Sequence, residues 1–240
     1  MKILLIGAQG QLGKALAKAL PDALVYDGDV RNHKAMLSAI SAHRPDYVIN
    51  TTAYTDVDQA ESSELEALKA FDINCKAVYV MAVASYNVDA AFVHFSTVYC
   101  GAENLLSTYA ASKSLGERVA LGASPNTLII RTDCLFSETT GFVGKVMDNV
   151  NNDKKVILPL NLCGNPTHVN YLVAETLKLI DKGAIGTVTV VGDAYLSRYD
   201  WALRFVPKDK HYLIGSKVLF DKDSIRKLDN DYHLKKGNHK

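Results

Sequence analysis

No run of apolar residues in this chain approaches the roughly 18 needed to cross a bilayer, which argues against a membrane-spanning helix. Cysteine is scarce: Cys75, Cys100, Cys134 and Cys163 stand apart, with no C-x-x-C pair. That pattern argues against a disulfide framework and a zinc site, and it suits a reduced, cytoplasmic compartment. The seven histidines lack metal-ligand spacing, so no metal is expected. An excess of one charge is missing too. The formal net charge is +1, which leaves no electrostatic footprint for nucleic acid. The one basic stretch, Lys235-Lys236-Gly237-Asn238-His239-Lys240, reads as a solvated tail. The N-terminus shows neither the charged region nor the apolar region of a secretory signal. Internal repeats and low-complexity segments are absent as well.

What is present is a globular composition. Of 240 residues, 48% are hydrophobic and 22% charged, enough for a sizeable core in one large domain or one domain with a small appendage. The chain opens with a short apolar run, Ile3-Leu4-Leu5-Ile6. It breaks into Gly7-Ala8-Gln9-Gly10-Gln11-Leu12-Gly13, and a helical pattern follows up to Pro21. A buried strand, a glycine-rich turn and a helix form the first unit of a dinucleotide-binding fold. Gly7 permits a tight exit from the strand, Gly10 leaves room for a pyrophosphate, and Gly13 lets the helix pack close to the sheet. The helix N-terminus then offers free N–H groups and a positive dipole end. The spacing is G-x-x-G-x-x-G, a weak signal on its own, and an ordinary strand–helix turn is the bland reading.

Further along, residues 23–26 read as a second strand. Asp27 stands where a ribose-binding acid is expected, twenty residues after Gly7. Asp29 can accept from the adenosine end of a dinucleotide, or it can cap a helix over 31–43; the two readings are compatible. Arg31 is the one candidate for holding a 2′-phosphate, so NADH and NADPH both stay open. A third strand begins at Tyr47 and ends in Asn50-Thr51-Thr52-Ala53-Tyr54, small residues where a cofactor crevice would lie. Residues 55–61 read as a polar loop in which Asp56 is a helix cap rather than a Mg²⁺ ligand, and 63–86 as one long helix. Strands are expected over 89–95, 126–131, 155–158 and 187–191. Helices are expected over 142–151, 169–180 and 198–205, and a loop over 161–168. The alternation predicts an α/β, Rossmann-type doubly wound parallel sheet with a small C-terminal substrate-side subdomain.

The fourth strand runs into Ser96-Thr97-Val98-Tyr99, and Tyr109-Ala110-Ala111-Ser112-Lys113 follows. Tyr and Lys four apart share a helix face. A cationic Lys favours the phenolate, and the phenol can exchange a proton with a carbonyl oxygen. Thr97 can hydrogen-bond the same oxygen, and Lys113 can hold a nucleotide ribose. Each feature alone has a bland reading, a solvated helix face for the pair and a strand-end cap for Thr97. Their order along the chain carries the weight. Asn74 reads either as a backbone-bonding residue beside the site or as a helix-surface residue. Tyr195 and Trp201 read as packing.

With these residues in view, the chain resembles an extended short-chain dehydrogenase/reductase, and within that group the dTDP-4-dehydrorhamnose reductase (RmlD-like) family. The likeness rests on the N-terminal strand with Gly7, Gly10, Gln11, Leu12 and Gly13. It extends through Asn50, Thr55, Val57-Asp58, Ala60-Glu61, Ser96-Thr97, Tyr99, Tyr109, Lys113 and Gly116-Glu117. Arg131-Thr132, Gly164, Pro166-Thr167 and Tyr199-Asp200-Trp201 complete it. The resemblance implies a single NAD(P)-binding domain over 1–240, with about 133–206 contributing the substrate-side subdomain and a variable tail over 207–240. It implies NAD(P)H-dependent reduction of a 4-keto nucleotide sugar, with hydride going to C4, Tyr109 as acid, Lys113 as ribose anchor and Thr97 as carbonyl donor. The dinucleotide-binding residues it implies are Gly7, Gln9, Gly10, Gln11, Leu12, Gly13, Asp29, Val30, Thr52, Ala53, Tyr54, Tyr109 and Lys113. A homodimer or a partner chain stays open.

Three departures bear on the substrate. Val98 stands where the family usually has an acid, the 99–109 connection is short, and the part after Trp201 is short and unlike the family. The resemblance also extends to the regulatory beta subunit of methionine adenosyltransferase. A dinucleotide-binding subunit without turnover is therefore the alternative.

Overall fold

The first strand enters the core directly. In the computed structural model, which describes residues 1–101, 107–207 and 212–216, Ile3–Ile6 forms β1 with all four residues buried. An unbroken buried apolar run is what a parallel sheet covered on both faces requires. Then come α1 (Gln11–Ala19), β2 (Leu24–Tyr26), α2 (His33–His43), β3 (Tyr47–Asn50) and a one-turn α3 (Val57–Ala60). Next are α4 (Glu64–Phe71), α5 (Ala77–Asn87), β4 (Ala91–Thr97), α6 (Thr108–Ala123) and β5 (Thr127–Thr132). After these the chain makes β6 (Leu135–Phe136), α7 (Gly141–Asn151), β7 (Val156–Pro159), β8 (Cys163–Gly164), β9 (Thr167–His168) and α8 (Val169–Asp181). It ends with β10 (Gly186–Thr189), β11 (Leu196–Ser197), α9 (Arg198–Ala202) and β12 (Leu213–Ser216). Among the described residues no helix is long and apolar enough to cross a membrane.

The chain divides into two compact units, Met1–Arg131 with Val173–Thr189, and Thr132–Leu172 with Val190–Lys240. The first holds a six-stranded sheet in the order β10-β5-β4-β3-β1-β2. β1 pairs in parallel with β2 and β3, β3 with β4, and β10 with β5. Strand order reverses at β1/β3, and in open α/β sheets the carboxyl ends at such a point form the ligand crevice. Its core joins Leu4, Ile6 and Val48 of the sheet to Met36, Ile40, Val78, Met81 and Ala82 of the helices.

Three local expectations are corrected. Asn32, not Asp29, caps α2, its side chain accepting from the Ala35 N–H at 3.2 Å. The polar segment 55–61 contains a helical turn, α3, because Asp56 accepts from the Gln59 N–H and starts it. The long helix over 63–86 is interrupted: Asp72–Lys76 is a π-helical segment between α4 and α5. Such widened turns often sit at functional sites. Here the segment carries Asn74, fully buried, whose Oδ1 accepts from the Tyr54 N–H at 2.8 Å. Its Nδ2 donates to the Tyr54 carbonyl and to Ser112 Oγ, both at 3.0 Å. Of the two readings of Asn74, the backbone-bonding one holds.

Among the described residues the second unit has three two-stranded sheets, pairing β6 with β9, β7 with β12 and β8 with β11. The segment 161–168, expected as a loop, contains β8 and β9, which at two residues each are too short to leave a periodic signal. Val146 and Val150 of α7 pack with Leu158, Ala202 and Val206. Trp201 is buried, as expected of a packing residue, with its ring stacked 4.5 Å from that of Phe142.

Candidate active site

The glycine turn sorts its three glycines by what each must avoid. Gly7 has φ +88°, a region that disfavours side chains, and a Cβ there would lie 2.6 Å from Thr52 Cγ2. A Cβ on Gly13 would lie 2.0 Å from the Gly7 carbonyl oxygen, so α1 is docked onto the turn itself. Gly10 is different. Its backbone is extended (φ −73°, ψ 171°), and a Cβ would meet only the Gly7 oxygen at an ordinary 3.6 Å. The fold demands glycine at 7 and 13; nothing among the described residues demands it at 10. Gly10 is also the N-cap of α1 and makes no side-chain cap, and the first turn carries no acidic residue. An uncapped helix end without acidic groups suits a phosphate. Next to it, the buried Gln11 Nε2 has no hydrogen-bond partner among the described residues. A dinucleotide pyrophosphate fits these observations.

The other expected dinucleotide residues lie in the same unit. Gln9 is exposed, Leu12 and Val30 are buried, and Thr52, Ala53 and Tyr54 are half-buried after β3. Asp29 accepts from Arg31 Nε at 3.0 Å and Nη2 at 2.6 Å, and from the Arg31 N–H at 2.9 Å. Those bonds hold its carboxyl down at about 2. The Tyr54 hydroxyl donates to Glu66 Oε2 at 2.7 Å, which pushes its pKa up to about 12. That phenol keeps its proton and is no acid–base candidate.

Thr97 ends β4, 6% exposed, its Oγ1 accepting from the Tyr99 N–H at 3.3 Å. Tyr109 and Lys113 lie on α6, whose N-cap is Ser107, accepting from the Ala110 N–H. Gly116 on the same helix seats α6 against the π segment, since a Cβ there would lie 2.0 Å from the Asn74 carbonyl oxygen. Lys113 is 1% exposed. Its Nζ donates to the Phe95 carbonyl at 2.6 Å and lies 3.2 Å from His94 Nε2. Burial pulls the ammonium pKa down to about 8, against the smaller upward pull of Cys100 and Glu117.

Two features escaped the sequence reading. His94 is fully buried in β4, with Nδ1 3.0 Å from Asn50 Nδ2, and burial followed by the Lys113 charge lowers its pKa well below the usual histidine range. The signal was there: one ionisable residue inside the apolar run Ala91-Phe92-Val93-His94-Phe95. Glu117, 3% exposed, accepts from Arg131 Nε at 3.0 Å and Nη2 at 2.6 Å. Both residues were noted singly, but their pairing across α6 and β5 depends on the fold.

The second unit has a cleft of about 310 Å³ lined by Cys134, Leu135, Gly141, Phe142, Lys145, Arg198 and Trp201. The Arg198 guanidinium carbon lies 5.6 Å from the Phe142 ring centre and 5.5 Å from that of Trp201, and Nη1 is 2.8 Å from Cys134 Sγ. Aromatic faces beside two cations form a surface that can receive an anionic, planar group.

Comparison with known proteins covers nearly the whole chain. The family model of the RmlD substrate binding domain matches residues 1–217. Over 229 residues the chain is 30% identical to the dTDP-4-dehydrorhamnose reductase of Aggregatibacter actinomycetemcomitans, covering 84% of this chain and 77% of that protein. It is 28% identical to the spore coat polysaccharide biosynthesis protein SpsK of Bacillus subtilis, with the same coverage. Among solved structures, the dTDP-4-dehydrorhamnose reductase of Bacillus anthracis in complex with NADP matches with a TM-score of 0.84 at 28% identity, over 90% of this chain and 84% of that one.

Proposed function

This chain belongs to the RmlD substrate-binding-domain family, and from that membership we propose that it is an NAD(P)H-dependent reductase of a nucleotide-linked 4-keto sugar. The single observation that carries the reading onto these residues is their gathering in one unit. Thr97 at the end of β4 and the Tyr109/Lys113 pair on α6 share it with an uncapped, glycine-lined helix end. A reduced nicotinamide supplies the hydride when bound. The turn over 7–13 would hold the pyrophosphate through the N–H groups of α1, and Gln11 Nε2 would be free to donate to it. Arg31, already paired with Asp29, stands ready for a 2′-phosphate, and Asp29 for a ribose hydroxyl.

Tyr109 gives its phenolic proton to the sugar carbonyl oxygen as charge develops there, and Thr97 donates a hydrogen bond to that oxygen. Lys113 anchors the ribose and lowers the cost of the phenolate. Taken by itself, the second unit's cleft, with the cations Lys145 and Arg198 and the rings of Phe142 and Trp201, has chemistry that suits a nucleotide.

The test is NADPH and NADH oxidation with a panel of 4-keto nucleotide sugars and simpler carbonyls. Turnover confined to the nucleotide sugars is expected. Tight dinucleotide binding without turnover on any carbonyl would move the chain to the regulatory alternative.

A further inference from the structure

Beneath the site runs a buried chain of hydrogen bonds whose polarity can be worked out end to end. The Thr52 N–H can only donate, and it donates to Asn50 Oδ1 at 2.9 Å. The Asn50 amide is thereby oriented, so its Nδ2 donates to His94 Nδ1 at 3.0 Å. His94 Nδ1 must then be the unprotonated nitrogen. A neutral imidazole carries one N–H, so it stands on Nε2, which faces Lys113 Nζ at 3.2 Å. An ammonium has no acceptor and would meet that N–H donor to donor. A neutral amine satisfies both neighbours: it donates to the Phe95 carbonyl at 2.6 Å and accepts from His94 with its lone pair.

Resting on the proposed dinucleotide site, we propose that His94 is a positioning residue for Lys113: in the dinucleotide-free chain it favours the neutral amine over the ammonium, so that in alkaline solution engaging a dinucleotide ribose requires Lys113 to leave His94 and take up one proton.

The charged surroundings agree. His94 stays neutral, because burial disfavours its cation. Of the titratable groups packed about Lys113, Glu117 on α6 favours the ammonium, but its carboxylate is bound by Arg131 of β5. The Cys100 thiol is pushed up to about 12, chiefly by burial, and stays neutral. Tyr109 lies one turn earlier on the same helix. Among the described residues Glu117 is the carboxylate that favours an ammonium there, and it is engaged by Arg131, whereas ribose oxygens and a developing phenolate both favour one directly. The proton comes from solvent and joins the amine lone pair; no other bond changes.

Two measurements test this. Imidazole ¹⁵N NMR of the dinucleotide-free chain, assigned with His94→Gln, should show His94 protonated on Nε2 only. Calorimetry of NADPH and NADH binding at pH 9, in buffers of different ionisation enthalpy, should show uptake of about one proton. The affinity should fall roughly tenfold per pH unit across the window in which Lys113 deprotonates. Lys113→Met should abolish the uptake. His94→Gln can turn its amide oxygen to an ammonium. Asn50→Asp should draw the imidazole proton to Nδ1 and leave Nε2 as an acceptor. Both should reduce the uptake at pH 9 while binding persists, an effect that simple loss of structure would not produce. An Nδ1–H tautomer in the parent, or binding without proton uptake, overturns the role of His94. So does uptake unchanged in both His94→Gln and Asn50→Asp. Absence of any binding by NADPH or NADH to the parent strikes instead at the proposed function, and the proton coupling goes with it.

Discussion

The three glycines of the first turn should separate under mutation into one that serves binding and two that serve the fold. In Gly13→Ala the new methyl would lie 2.0 Å from the Gly7 carbonyl oxygen, 2.7 Å from Ala8 Cα and 2.8 Å from the Gly7 carbonyl carbon. All three are backbone atoms, so no rotamer relieves the overlap, and α1 must withdraw by roughly 1 Å to restore normal contact. Overpacking costs about 1–3 kcal/mol, and a clash with fixed backbone belongs at the upper end. The better helix propensity of Ala returns about 1 kcal/mol, leaving a net loss of about 2 kcal/mol. Gly10→Val meets no such obstacle, because φ −73° and ψ 171° suit a β-branched residue and, among the described residues, only one atom lies near a Cβ there, at 3.6 Å. Its stability should stay within about 1 kcal/mol of the parent, the poorer N-cap preference of Val offsetting a less flexible unfolded chain. Its side chain would instead occupy the space over the uncapped N–H groups, so NADPH affinity should fall at least tenfold, about 1.4 kcal/mol. Urea unfolding without ligand gives the first quantity and calorimetry with NADPH the second. Parental stability in Gly13→Ala refutes the docking argument. Parental affinity in a folded Gly10→Val places the dinucleotide elsewhere.

Tyr109→Phe keeps the ring and removes the acid; turnover should drop roughly 10²–10⁴-fold with NADPH binding retained, and unchanged turnover removes Tyr109 from the chemistry. Glu117→Ala strands the Arg131 guanidinium beside the sheet and should cost about 3–5 kcal/mol in urea unfolding, whereas a loss under 1 kcal/mol would mean solvent replaces the carboxylate. Lys113 binds its proton less tightly folded, at about 8, than at the ordinary 10.5, so the unfolded chain holds more protons between those values. Stability should therefore rise by on the order of 3 kcal/mol from pH 8 to 10.5, and an equal rise in Lys113→Met would assign it to another group. The Asp29 carboxyl, held at about 2 by Arg31, contributes above the ordinary carboxylate range and loses that contribution as pH falls towards 2. Since both side chains are about half exposed, the effect on stability should be slight. In Arg31→Ala the Asp29 carbonyl-carbon NMR titration should move up towards the usual range, and an unmoved midpoint would discount the pair.

Order along the chain was enough to give the strands of the first unit and most of its helices, though not the turn α3 or the break between α4 and α5. An apolar run such as Ile3–Ile6 can be buried on both faces only in a parallel sheet covered by helices, and the alternation of such runs with helical segments leaves little other topology. The same local logic marked the glycine turn, the strand-end Thr97 and the spacing of Tyr109 and Lys113, because each depends on residues within a few positions. Other features depend on residues far apart in the chain. The π segment at Asp72–Lys76 is legible only once Asn74 meets Tyr54 and Ser112, for hydrogen bonds to those partners offset the widened turn. β8 and β9 are two residues long, and partners distant in sequence, not propensity, hold them extended. The sequence also placed a cation beside a phenol, as helical spacing requires. Tertiary structure alone decided that this cation is 1% exposed and faces His94 from a neighbouring strand. The charge of an amine is set by the solvent it loses and the donors it meets, and folding brings those together from β3, β4 and α6.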